Sequence, residues 1–251
     1  SFPFVQPYFG LGNSLQTAQA GGAGGAVGGW VELGRTTLGS PASTITVSSL
    51  PDKRYYKLLI DTRNGSGTIH NITTRFNSDT GSNYAHRRSS NGGTDSTGTS
   101  QTEIQVTAQQ NEEFAVAYIA NYATKEKLQM AHSVSLGGTG AGTAPVRQET
   151  VGKWANTSNA INSITVHNSS AVHTYATGSE LVVLGWDPAD THTTNFWEEL
   201  ASVELGSTGS NLSSGTISAK KYLWVQIWAD HSNDEAQNIT FNNDSGATYA
   251  R

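Results

Sequence analysis

The sequence predicts an all-β fold of β-sandwich or jelly-roll-like modules preceded by an extended N-terminal arm. Three observations carry that prediction. Glycine numbers 27 of 251 residues and charged residues make up only 14%, and long stretches of the strong helix formers are missing. Apolar residues alternate with polar ones over short segments, the period of a strand rather than a helix. Turn clusters recur about every ten to fifteen residues, the punctuation of a sandwich with no βαβ alternation to compete with it. A chain of this length buries enough surface to fold without staples.

The elements follow in order. Residues 1–29 form an apolar arm on a tether: Phe2, Phe4, Tyr8 and Phe9 lie near two prolines, and the glycine-rich run from Gly21 to Gly29 is flexible by composition. Such an arm cannot bury itself locally and is expected to dock on its own domain or on a neighbouring subunit. A first module is expected over 30–190. Its strands are Thr44 to Val47, Tyr55 to Ile60, Ile69 to Phe76, Glu103 to Ala108, Glu113 to Asn121, Leu128 to Leu136, Val146 to Trp154, Ile161 to His167 and Leu181 to Trp186. Asn64-Gly65-Ser66-Gly67 reads as a hairpin turn, since Asn and Gly accept positive φ. Gly137 to Gly142 reads as a loop.

An internal repeat is the most specific feature. A shift of 167 residues sets Trp30, Glu32, Leu33, Leu38, Gly39 and Ser40 on Trp197, Glu199, Leu200, Leu205, Gly206 and Ser207 without a gap. The register continues through Lys53 on Lys220, Tyr55 on Tyr222 and Ile60 on Ile227. After a two-residue deletion, Phe76, Asn77, Asp79, Gly81 and Tyr84 fall on Phe241, Asn242, Asp244, Gly246 and Tyr249. Residues 191–251 are therefore expected to be a partial copy of the first module, with about four strands and with Tyr55 and Tyr222 at equivalent core sites. A half-sandwich leaves an apolar face and an open edge, so a cover is expected from the middle segment, another subunit or further polypeptide.

Composition also narrows function. The absence of cysteine removes disulfides, thiolate metal sites and cysteine nucleophiles. A net charge of −5 with scattered Lys and Arg offers no basic stripe, so no nucleic-acid partner is expected. No apolar run is long enough to span a bilayer, and the N-terminus has no signal-peptide pattern; no membrane partner is expected.

The repeated Phe-Asn-x-Asp-[Ser/Thr]-Gly-x-x-Tyr motif gathers oxygen donors, and calcium is one reading. It lacks the twelve-residue donor pattern and terminal Glu of an EF-hand loop. The favoured reading is a capped turn: Asp79 and Asp244 accept loop amides, Gly81 and Gly246 supply positive φ, and the flanking Phe and Tyr residues plug the core. His167 and His173 offer two metal ligands without a third. Asp187, Asp190 and His192 could be drawn as a triad with any of the abundant hydroxyls, but no strand-turn-helix elbow is present. No enzyme, cofactor or metal is expected. Trp224 and Trp228, at even spacing, share one strand face, which is either a packing face or an aromatic platform for the apolar faces of sugars.

The opening Phe-Pro-Phe-Val-Gln-Pro-Tyr-Phe-Gly-Leu, the run from Trp30 to Ser40, the segment Arg75 to Tyr84 and Val183-Leu-Gly-Trp-Asp-Pro188 resemble structural proteins of tailed bacteriophages, particularly marine ones. The resemblance implies a virion component of capsid surface, tail or fibre that acts by assembly and display. Its implied partners are other virion proteins and copies of itself, in a homo-oligomer such as a trimer. The alternative is a carbohydrate-binding adhesin module that recognises a host glycan.

Overall fold

The structure is a computed structural model and describes residues 29–66, 71–108, 112–169, 173–187, 197, 200–227 and 238–246. The arm residues Phe2, Phe4, Tyr8 and Phe9, as well as Trp228 and Tyr249, lie outside the described residues. The chain divides into two units between Phe196 and Trp197.

The described part of the first unit is all-β. In chain order the strands are β1 (Val31–Thr37), β2 (Thr44–Val47), β3 (Tyr55–Thr62), β4 (Asn64–Ser66), β5 (Thr73–Phe76), β6 (Tyr84–Ser90) and β7 (Ser96–Gln101). They continue with β8 (Ile104–Gln105), β9 (Glu113–Ala120), β10 (Lys127–Ser135), β11 (Val146–Trp154), β12 (Ile164–His167), β13 (Thr174–Tyr175) and β14 (Glu180–Trp186). They form an eight-stranded sheet of order β1-β14-β3-β9-β10-β11-β6-β7, a four-stranded sheet of order β2-β12-β5-β8, and the pair β13-β4. The pairings are antiparallel, consistent with a β-sandwich.

The core joins inward residues of both sheets. Tyr56, Leu58 and Ile60 of β3, Ala115, Ala117 and Ile119 of β9 and Leu181 and Val183 of β14 belong to one cluster with Ile45, Phe76, Ile164 and Val166 of the smaller sheet. Small alanines on β9 admit the larger residues beside them: Ala117 pairs with Leu58 and Ala115 with Ile60. Tyr56 is buried, and its hydroxyl donates to the carbonyl oxygens of Pro51 and Ile161 at 2.8 and 3.0 Å. Burial pushes its pKa up to about 12.

Tyr55 is not a core residue. It sits one position out of phase with Tyr56, on the outward face, and stacks on Trp186 with ring centroids 5.4 Å apart. Asn64 to Ser66 are not a hairpin turn either. They form β4, and a Cβ on Gly65 would lie 2.8 Å from backbone atoms of Thr174 and Ala176, so glycine here permits close backbone approach. The loop at Gly137 to Gly142 is present, with Gly137 and Gly140 at φ +69° and +80°.

In the second unit none of the described residues 200–227 and 238–246 lies in a strand, so the four strands expected of the repeat are not formed there. Leu223, Val225, Ile227 and Phe241 are 48, 54, 47 and 55% exposed. The tilted pair Trp197 and Trp224 has ring centroids 5.9 Å apart.

Candidate functional site

The repeated motif is built as a turn. Asn77 and Ser78 hold φ of 53° and 55°, and the Asp79 amide donates to the Phe76 carbonyl at 3.0 Å, a hairpin-type turn with two left-handed central residues. Positive φ falls on these residues and not on Gly81. A Cβ on Gly81 would lie 2.8 Å from Asn83 Nδ2 and 3.1 Å from Asp79 Oδ1, so a larger residue would displace the Asn83 amide from the carboxylate.

The Asp79 carboxylate faces N–H donors throughout. Oδ1 accepts the Gly81 amide at 2.8 Å, Oδ2 accepts the Trp154 indole N–H at 2.7 Å, and Asn83 Nδ2 donates to both at 3.2 and 2.9 Å. Asn77 Oδ1 accepts the amides of Asn162 and Ser163, and its Nδ2 donates to the Ala160 carbonyl. An oxygen that receives N–H groups does not present the same lone pairs to calcium, so this arrangement matches the capped-turn reading. Partial burial pushes the Asp79 carboxyl up, but the hydrogen bonds from Trp154, Asn83 and Gly81 outweigh it and hold the pKa below the usual range.

Tyr84 closes the turn from the core side. Its hydroxyl accepts the Phe76 amide at 3.0 Å and faces the carbonyl oxygens of Asp79 and Phe76 at 3.2 and 3.3 Å. Phe76, Tyr84 and Trp154 pack with ring centroids 5.8 to 6.2 Å apart. The buried Lys127 lies 5.3 Å from the Trp154 ring and donates to the Ala123 and Asn156 carbonyls; burial pushes its ammonium pKa down. In the second copy Asn242 and Asn243 have φ of 55° and 57°, the Asp244 amide donates to Phe241 at 3.0 Å, and Gly246 donates to Asp244 Oδ1 at 2.9 Å. The backbone turn and its aspartate cap thus recur in the second copy, where positive φ falls on the two asparagines and not on Gly246, and where Phe241 is exposed while its counterpart Phe76 is buried.

A different surface is open for interaction: the outward face of β9, β10 and β11. Strand β10 is inverted in polarity. Its inward residues Lys127, Gln129, Ala131, Ser133 and Ser135 are buried, while Leu128, Met130 and Val134 point outward and are 57, 51 and 42% exposed. Some of the inward polar groups are held by partners, while Gln129 Nε2 and Ser135 Oγ are buried without one among the described residues. Gln129 Oε1 accepts the Thr74 hydroxyl at 3.0 Å, and on neighbouring β11 Gln148 Oε1 accepts the Ala108 amide at 3.1 Å. The Gly152 backbone of β11 meets Ile104 so closely that a Cβ would lie 2.6 Å from it. Outward, Met130 pairs with Tyr118 on one side and with the exposed Val151 on the other. Toward β14 the same face is covered: Leu59, Val182 and Leu184 are buried there, and Trp30 reaches Trp186 and Tyr118 with centroids 6.4 and 6.3 Å apart.

Glu103 forms a polar pin that no residue pattern indicates. It accepts from Arg75 Nη2 at 2.9 Å and contacts His167 Nδ1 at 3.1 Å, tying the β7–β8 connection to β5 and β12. Burial pushes its carboxyl up, but His167, Arg75 and Thr73 together hold its pKa lowered. The residues between His167 and His173 are only partly described, and among the described residues no group of three or more His, Asp or Glu is placed to hold a metal. Asp187 Oδ2 accepts the Arg54 amide at 3.2 Å; Asp190 and His192 lie outside the described residues. A shallow polar depression of about 290 Å³ is lined by Arg88, Ser90, Ser96 and Gln148. Comparison with protein-family models, with curated proteins and with solved structures found no match to this chain.

Proposed function

We propose that this chain is a structural protein of a virus particle. It acts by assembly and display, with other virion proteins and copies of itself as partners. The observation that carries the assembly role is the inverted strand β10. Its polar residues are turned inward, where Gln129 Oε1 accepts the Thr74 hydroxyl and Lys127 donates to two carbonyls, and its apolar residues are turned to solvent beside Val151. Solvation alone would favour the opposite arrangement, so the outward apolar row is a contact surface awaiting a partner. Burying a side chain of this kind fully is worth about 1.5–3 kcal/mol, so covering the open half of four contributes roughly 4 kcal/mol to association. The resemblance of the opening segment, the run from Trp30 to Ser40, the segment Arg75 to Tyr84 and Val183-Leu-Gly-Trp-Asp-Pro188 to tailed-phage structural proteins supports the virion setting.

The test is localisation. Antibody raised against the first module should label purified particles of the virus that encodes the chain at a regular position. Particles that contain no such chain, by labelling and by protein mass spectrometry, would refute the proposal.

A further inference from the structure

We propose that Trp197–Tyr249 is the front half of a second sandwich, and that it folds on receiving a segment patterned like β9 to β14 of the first module. The argument begins with the repeat. Tyr56, Leu58, Ile60 and Phe76 are buried in the first copy, and the register places Leu223, Val225, Ile227 and Phe241 at those positions. All four remain apolar, yet each is about half exposed. The outward position of Lys57 becomes Trp224. The second copy therefore keeps the inward face of a core strand.

The turn supplies independent evidence that the second copy encodes the same fold. Two consecutive left-handed residues followed by an Asp that caps a glycine amide recur with the same hydrogen bonds in both copies. Left-handed φ at consecutive non-glycine residues is uncommon, so its double occurrence reports the shared sequence pattern. Counterparts of the pairing strands are not among residues 197–251. In the first module β3 lies between β9 and β14, and β12 pairs with both β2 and β5. All three come from residues 113–186, which the repeat does not duplicate within these 251 residues.

The register also specifies the occupant. Leu58 pairs with Ala117 and Val183, Ile60 with Ala115 and Leu181, and Tyr56 with Ile119 and Gly185. The complement of Leu223, Val225 and Ile227 must offer one strand that sets an isoleucine and two alanine-sized residues against them, and one that sets a glycine, a valine and a leucine against them. A second copy of this chain does not supply it without loss. Each copy carries two front halves and one set of β9 to β14, and that set is engaged by its own first module. The complement is accordingly a different segment with the same pattern.

The experiment extends the full chain after Arg251 with a duplicate of residues 87–188 and follows amide hydrogen exchange. In the unextended chain, amides at 222–227 should exchange fast while those of β3 are protected. In the extended chain both should be protected, with exchange at 222–227 slowed roughly 100-fold or more. Val225→Asp in the extended chain should abolish protection at 222–227 and leave β3 unchanged. A second chimera, with residues 197–250 placed directly before 86–188, should fold with protected Leu223 to Ile227. Fast exchange at 222–227 in both engineered chains would overturn the proposal. So would strong protection of that segment in the unextended monomer. Protection in the unextended chain that appears only as concentration rises would identify self-association as the cover and overturn it equally.

Discussion

Replacing Asp79 by Ala tests whether the repeated turn is held by its carboxylate. The substitution removes the acceptor for the Trp154 indole at 2.7 Å and for the Gly81 amide at 2.8 Å, and strands Asn83 Nδ2. A hydrogen bond to a charged group contributes about 1.5–3 kcal/mol and a neutral one about 0.5–1.5 kcal/mol, so the expected loss is about 3 kcal/mol. For a domain of this size that lowers Tm by roughly 6–12 °C. Asp79→Asn keeps an acceptor and loses the charge, and should cost about half as much. Urea unfolding followed by tryptophan fluorescence is the assay, with the midpoint moving and the slope unchanged. The pH dependence gives a second check. Because the folded pKa lies below the ordinary carboxyl value of 3.8, the stabilisation is fully present above about that pH and is lost as pH falls through the folded value. The gap between wild type and Asp79→Ala should therefore close in acid. A loss under about 0.5 kcal/mol at neutral pH, or a gap that widens in acid, would refute the capped-turn account.

Tyr84→Phe removes a hydroxyl that serves a buried amide and should cost about 1–3 kcal/mol in the same assay, with the fold retained by circular dichroism. Glu103→Gln should weaken the pin to Arg75 and His167. As the Glu103 pKa is lowered in the fold, its contribution is present above the ordinary value of 4.5 and fades as pH falls below it; an acid-unfolding curve unchanged by the substitution would contradict this. Val151→Glu with Leu128→Lys should leave monomer stability within about 0.5 kcal/mol, because both residues are exposed. The same pair should reduce self-association measured by sedimentation. On a glycan array the protein is expected to give no specific signal; specific binding abolished by Trp224→Ala would favour the adhesin reading instead.

Strands were legible wherever apolar residues alternate, and β9, β10, β11 and β14 lie close to their expected bounds. Alternation did not reveal which face was core. In 127–135 the apolar set is outward, and only long-range partners such as Thr74 for Gln129 fix that orientation. Strands β6 and β7 carry YAHRRSS and STGTSQ, with little apolar periodicity, because they end the sheet, β6 half-buried for most of its length and the edge strand β7 largely exposed. Phase was equally hidden at Tyr55 and Tyr56, where adjacent aromatics make either assignment plausible to the eye. The turn motif was recognisable from its residue types, but its anchor was not: Trp154 reaches Asp79 across 75 residues of sequence.

Met130 is the only methionine in the chain and lies at the centre of the exposed outward row, paired with Tyr118 and Val151. Its oxidation therefore reports directly whether that face is a contact surface. The assembly account predicts that mild peroxide converts Met130 to the sulfoxide readily in the isolated chain and at least about tenfold more slowly in the intact particle, consistent with restricted access. Equal rates in the free chain and the particle would contradict it.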